Sequence, residues 1–235
     1  MFTMGMPLRI GGDPDFRSVV LLAHMNGANG STTFADSSLS AHTLTASGNA
    51  QTSTAASVFN GSSGLFDGTG DWVQTTTGLS DFTFGTADFT VECWAKTSAT
   101  RPALVDFYSS TNAGSWQLVI GFSSFSHLEW VIGTAGAALT LLSGATAISN
   151  GNWNHLAISR VAGVSRLFVN GVVDAAVADS TNYNYSTSPL AIGAQVSSRN
   201  ALYDMNGNIA EVRITKGVGR YSGNFTVPTA PFQNS

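Results

Sequence analysis

The chain has 235 residues, 43% of them hydrophobic and only 10% charged, against about 25% charged in an average soluble protein. Its net charge is −4 and its only lysines are Lys96 and Lys216, which excludes a basic surface for nucleic acid. With so few charges and with 29 Ser and 25 Thr, the fold must rest on apolar burial and backbone pairing beneath a hydroxyl-rich surface.

Residues 1–17 hold three of the five methionines, two prolines and two arginines without periodicity. They read as an N-terminal arm that orders against a partner. "MFTMGMPLRIGGDPDF" lacks the basic start and apolar block of a secretion signal, so synthesis in the cytoplasm is expected. From residue 18 onward, strand signals recur every 8 to 15 residues with turn residues between them, and no window shows helical periodicity. The expected strands are 18–24, 58–66, 72–76, 89–96, 103–108, 116–122, 127–133, 138–142, 153–160, 165–169, 172–177, 190–193 and 207–215. Residues 45–63 are low in complexity and read as loops or edge strands. Residue 19–23, the longest aliphatic run, is too short to cross a bilayer. Cys93 is the single cysteine, which excludes an intramolecular disulfide; within "FTVECWA" it reads as a buried, inert thiol.

The alternation assigns faces. In "NHLAISR", Leu156 and Ile158 share one face while His155, Ala157 and Ser159 share the other. Period-two patterning in a dozen short segments predicts two packed antiparallel sheets. In "RLFVNGVV", Asn170-Gly171 supplies the positive φ angles of a two-residue hairpin turn. The fold class is therefore all-β, one domain over residues 18–235 plus the arm.

Four stretches carry a family resemblance: "GLFDGTGDWV" (64–73), "FTFGTADFTVECWAK" (82–96), "WNHLAISRVAGVSRLFVNGVV" (153–173) and "GNIAEVRITKGVGRYSGNFTVPTAPF" (207–232). In this order they resemble the concanavalin A-like, laminin G-like jelly-roll family, and most of all its bacteriophage virion branch, of tail-fibre and head-associated proteins. Ala210 departs from the pattern, since the family often has Asp before Glu-Val-Arg. The resemblance implies a two-sheet jelly-roll sandwich with a curved inner sheet. It also implies glycan or protein binding and, in some members, Ca²⁺. The fold hosts hydrolases too, so function must be argued from sites.

Glycoside cleavage needs two carboxylates about 5–10 Å apart. Glu92, Glu129 and Glu211 are the only glutamates, and none has another acidic residue within three positions, Asp88 standing four before Glu92, so a non-enzymatic protein is expected. His155 reads as structural. Calcium would be held by loop oxygens, for which Asp67 and Asp71 in "DGTGD" and Asp204, Asn206 and Asn208 in "YDMNGN" are the candidates; the alternative is ordinary turn chemistry. Sugars stack on aromatic faces flanked by amides. Tyr183 and Tyr185 alternate with Asn182 and Asn184 in "STNYNYSTSP", and Trp72, Trp116 and Tyr203 are further candidates. The expectation is a virion display protein that binds host-surface glycans, docks on other virion proteins through residues 1–17 and assembles as a homo-oligomer, without membrane insertion. The alternatives are a purely structural capsid or tail decoration module, a bacterial cell-surface protein, or a glycoside hydrolase on the same fold.

Overall fold

The computed structural model describes residues 12–235; residues 1–11, most of the expected arm, lie outside the described residues. The strands are β1 (Val19–Ala23), β2 (Thr45–Ser47), β3 (Gln51–Ser53), β4 (Ser63–Asp67), β5 (Trp72–Thr75), β6 (Phe89–Thr97), β7 (Ala103–Phe107), β8 (Trp116–Ile120), β9 (His127–Thr134), β10 (Ala137–Ala147), β11 (Trp153–Val161), β12 (Val164–Val169), β13 (Val172–Ala178), β14 (Leu190–Ile192) and β15 (Asn206–Lys216). They form two antiparallel sheets. The eight-stranded sheet runs β13-β12-β11-β6-β15-β4-β3 with β1 also on β15, and the seven-stranded sheet runs β10-β9-β8-β7-β14-β5-β2. The low-complexity stretch supplies the short edge strands β2 and β3.

The core follows the alternation. Phe89, Val91, Cys93 and Ala95 of β6, and Leu156 and Ile158 of β11, all face the sandwich interior. Burial raises the Cys93 thiol far above its ordinary range, with the Glu92 charge adding to the shift, so it is inert. Strand β15 breaks the period: Ile209 faces inward, and so do Val212 and Ile214. A bulge between Ala210 and Arg213 inserts the extra residue, and Glu211 there adopts φ +52°. The bulge is also where the outer edge of β15 passes from β4, paired at residues 206–209, to β1, paired at residues 212–215.

Residues 217–235, the end of the family motif, form a strap across the outer face of the eight-stranded sheet. Phe225 packs on His155 at 5.6 Å and on Phe168 at 5.3 Å, and Tyr221 stacks on Phe225 at 3.6 Å. Tyr221 Oη donates to Glu92 at 2.8 Å, and Arg213 lies 3.7 Å from the Phe232 ring centroid. Asp13 accepts from both Arg213 and Arg220, while Phe16 joins Val19, Leu22 and Phe232 in a small second core. Residues 12–17 are thus packed onto the domain. His155 is fully buried, with Nε2 3.0 Å from Glu92, as a structural histidine should be.

The hairpin turn is as read. Asn170 and Gly171 have φ +50° and +79°. The Asn170 side chain accepts from the His155 amide and donates to Asn154, which ties the turn to the neighbouring strand.

Candidate functional site

The aromatic alternation at 183–185 is present with its faces reversed. Tyr183 and Tyr185 share a side, but it is the inward one: both are buried, while Asn182 and Asn184 are exposed. The Tyr183 hydroxyl donates to Asp179 and accepts from Trp130 Nε1, and burial raises its pKa well above the usual phenol range. Trp116 is likewise core, stacked on Trp130 at 5.1 Å with its indole N–H on the Phe82 carbonyl. None of these three rings can offer a face to a sugar. The corrected reason is that each ring is the apolar filling between the sheets, with its one polar atom satisfied inside.

The two loops expected to hold calcium do meet at one end of the sandwich, where the Gly70 amide donates to Asp204 Oδ2 at 2.9 Å. Five of the six carboxylate oxygens of Asp67, Asp71 and Asp204 accept from protein donors. Asp71 accepts from the Asn49 and Asp67 amides, Asp67 from the Thr69 amide and the Asn49 side chain, and Asn208 donates to Ser63. Arg199 sits 2.6 Å from Asp204 and occupies the place of a cation. No group of three His, Cys, Asp or Glu among the described residues is arranged for a metal, and although Asp204 Oδ1 has no partner, the set does not fit Ca²⁺.

Trp72 and Tyr203 point instead to the outer face of the seven-stranded sheet. One row of cross-strand neighbours there runs Gln74, Ala191, Asp106, Gln117, Val131. Trp72 is half-buried beside this row, its indole N–H on Gln74 Oε1 at 3.0 Å and the Arg199 guanidinium 5.6 Å from its ring centre. The segment 194–205 roofs the middle of the row: the Val196 amide donates to Asp106 Oδ2 at 3.0 Å, and Ser198 bonds Ser110. Beneath the roof, Asp106 Oδ1, both polar atoms of the Gln117 amide and Gln195 Oε1 are buried without partners. Burial pushes the Asp106 carboxyl up to about 8, against the pull of two backbone amides.

At the rim of the same face, three loops build an aromatic ledge. Arg101 Nη2 donates to the Phe122 carbonyl at 3.0 Å and to Tyr203 Oη at 2.9 Å. Its guanidinium lies 5.0 Å from the Phe125 ring centre and 5.2 Å from that of Tyr203. Phe122 stacks on Tyr203 at 5.5 Å. Phe125 is 62% exposed and Leu202 66% exposed. The Asn200 side chain caps the short turn Ala201–Tyr203 that holds Leu202 outward and Tyr203 inward. Of the ledge, sequence reasoning named only Tyr203. The available signal for the rest was "GFSSFSH", two phenylalanines in a Ser-rich turn, where large apolar side chains have no folding reason to be.

The glutamates are all buried and saturated with donors. Glu129 accepts from the Ser123 and Ser124 amides and from the Ser123 and Ser143 hydroxyls. Glu92 is held by His155, Arg213 and Tyr221, and Glu211 by His24 and the Phe232 amide.

Residues 67–218 match the family model of the concanavalin A-like lectin/glucanases superfamily. The chain belongs to this superfamily. No curated protein matches the sequence. Among solved structures, the superfamily fold is shared with domain 4 of AbnA, a GH43 extracellular arabinanase from Geobacillus stearothermophilus, in complex with arabinotriose. That likeness has TM-score 0.63 and 17% identity, over 86% of this chain and 94% of that one. The binding domain of Paraclostridial Mosquitocidal Protein 1 is similar with TM-score 0.63 and 14% identity, over 86% of this chain and 49% of that one. A botulinum neurotoxin type C structure, whose cell entry depends on two ganglioside molecules, has TM-score 0.61 and 13% identity, over 87% of this chain and 49% of that one. The chain thus spans about half the length of the toxin chains it matches. At these identities the likeness is one of fold.

Proposed function

We propose that the protein is a non-catalytic carbohydrate-binding module whose ligand lies against the aromatic ledge on the outer face of the seven-stranded sheet. The observation that carries this is Phe125: a large ring, 62% exposed, held beside the Arg101 guanidinium, which also packs on Tyr203 and bonds the Phe122 carbonyl. A ring that projects into water at a loop tip is costly for the monomer and useful for stacking on the apolar face of a sugar. Support also comes from structures of the same fold that carry arabinotriose or engage gangliosides. Saturated, separately buried glutamates favour binding over bond cleavage.

The finer reading is a display module on a bacteriophage particle, anchored through its N-terminal arm, of which residues 12–17 pack on the domain itself, and presented in several copies, so that weak single sites add avidity at the host surface. It is supported by the resemblance of "RITKGVGRYSGNFTVPTAPF" to virion proteins. A glycan array with the wild type and Phe125→Ala tests the binding site. Binding is expected in the wild type and a loss of about tenfold or more in the variant, about 1.4 kcal/mol, with the melting temperature unchanged. A chelator should leave binding unaltered. Absence of binding to every glycan overturns the module reading. Antibody labelling of purified particles from the producing lysate tests the location, and unlabelled particles overturn it.

A further inference from the structure

A pocket of about 330 Å³ is lined by Thr86, Arg160, Gly163, Ala178, Asp179 and Ser180. It is formed at the β11–β12 turn and the end of β13, elements of the eight-stranded sheet, whereas the ledge belongs to the seven-stranded one. Arg160 follows the inward phase of Leu156 and Ile158, so its side chain enters the core edge and is only 3% exposed. Its guanidinium lies 5.8 Å from the centre of the Tyr183 ring. Nη1 donates to the Thr181 carbonyl at 2.8 Å, and Nε is buried with no partner. A buried guanidinium is normally paired, because leaving its charge without a counter-ion is expensive. Asp179 shares the pocket but does not fill that role. Its Oδ2 accepts from Ser165 at 2.6 Å and from Tyr183 at 2.8 Å, and Oδ1 takes the Thr181 amide at 2.9 Å. No carboxylate among the described residues is ion-paired with Arg160.

We infer that this pocket is a second binding site, built for the carboxylate of an acidic monosaccharide, with Arg160 as the recognition group. A guanidinium presents a planar fork that matches a carboxylate, and Arg is the residue suited to doing so when desolvated. The hydroxyls of Thr86 and Ser180, both exposed at the mouth, suit the ligand's own hydroxyls. The volume is at the small end of ligand pockets, which run from about 300 to 1,000 Å³; it admits one sugar ring and not a chain. The sugar part of this inference rests on the carbohydrate reading above; the carboxylate part rests on Arg160 alone.

Calorimetric titration of the full chain tests it with D-glucuronic acid, D-glucose as the neutral counterpart and acetate as the bare carboxylate. The variants are Arg160→Met, Thr86→Trp, which fills the mouth without touching the buried network, and Phe125→Ala at the ledge. Glucuronic acid is expected to bind at least about tenfold more tightly than glucose or acetate. That binding should fall by a similar factor in Arg160→Met and Thr86→Trp, and stay unchanged in Phe125→Ala. If Arg160→Met does not fold, Thr86→Trp decides. Equal binding of glucose and glucuronic acid overturns the inference, as does equal binding of acetate, no binding at all, or binding lost only in Phe125→Ala. A silent glycan array with a Thr86→Trp-sensitive glucuronic acid signal would remove the ledge and leave this pocket standing. A Phe125-dependent array signal without glucuronic acid binding would do the reverse.

Discussion

Glu92 and Asp106 are two buried carboxylates with opposite surroundings, and their pKa shifts oppose each other. Burial alone would raise Glu92, but the Arg213 charge and the bonds from His155 and Tyr221 outweigh it and hold the group at about 2. The unfolded chain protonates this residue near its ordinary 4.5, so its stabilisation is complete above that pH and is lost as pH falls toward 2. Glu92→Gln should therefore cost up to about 3–5 kcal/mol near neutrality, because buried Arg213 loses its fully buried carboxylate partner and keeps only Asp13. Urea midpoints of the variant and the wild type should converge as acid is added; a constant gap would show that Glu92 is not ionised in the folded state. Asp106 has no cation beside it, and burial raises it from 3.8 to about 8. The folded protein then holds a proton that the unfolded chain gives up. Its contribution is intact below about 3.8 and declines as pH rises through 8. Asp106→Asn keeps an acceptor for the Val196 amide and removes the titration. The variant should gain on the wild type by about 1–3 kcal/mol at alkaline pH, the usual cost of a buried unpaired polar group, and by little in acid. Thermal melts across that range check the sign.

At the scale of elements, the strands were legible because each buries one face against the other sheet, which writes a period of two into residues such as Leu156 and Ile158. What the pattern could not reveal is that the second faces are covered too. Glu92, His155 and Gln117 alternate with apolar neighbours as solvent-facing residues would, yet all three are fully buried, under the strap or under the segment 194–205. For the same reason Tyr183 and Tyr185 could be seen to share a side without its being clear which. The ledge was least legible, because Arg101, Phe125 and Tyr203 come from three loops that only the closed sandwich brings together. The hairpin at Asn170-Gly171 links the two levels, since the Phe225 amide of the strap donates to the Gly171 carbonyl at 2.8 Å. A Cβ added to Gly171 would lie 2.2 Å from the Phe225 carbonyl oxygen, at φ +79°. Gly171→Val therefore combines backbone strain of about 1–2 kcal/mol with displacement of the strap. The expected result is a lower melting temperature and faster amide exchange at Phe225; unchanged exchange there would show that strap and hairpin are uncoupled.

On the scale of the whole molecule, a chain with 10% charged residues still concentrates charge in one place. Asp13, Glu92, Arg213 and Arg220 form a continuous network with Tyr221 on the outer face of the eight-stranded sheet. The network joins the first described residues to the strap, and the Asp13 amide donates to the Ser235 carbonyl at 2.7 Å. The sandwich core alone does not account for stability on this view, because the strap completes a second, partly polar core that the sheet cannot cover. Removing residues 219–235 would uncover Phe168 and His155, delete the Tyr221 bond to Glu92 and leave Arg213 without the Phe232 ring. A loss of several kcal/mol is expected from a total of about 5–15, seen as a large fall in urea midpoint. Tyr221→Phe removes one hydroxyl donor to a charged group and should cost about 1.5–3 kcal/mol while preserving the rings. If the shortened chain unfolds at the wild-type midpoint, the strap is an appendage and the outer face needs no cover. If it behaves as expected, the strap is an integral part of the fold, the cover that the outer face of the eight-stranded sheet needs to keep Glu92 and His155 buried.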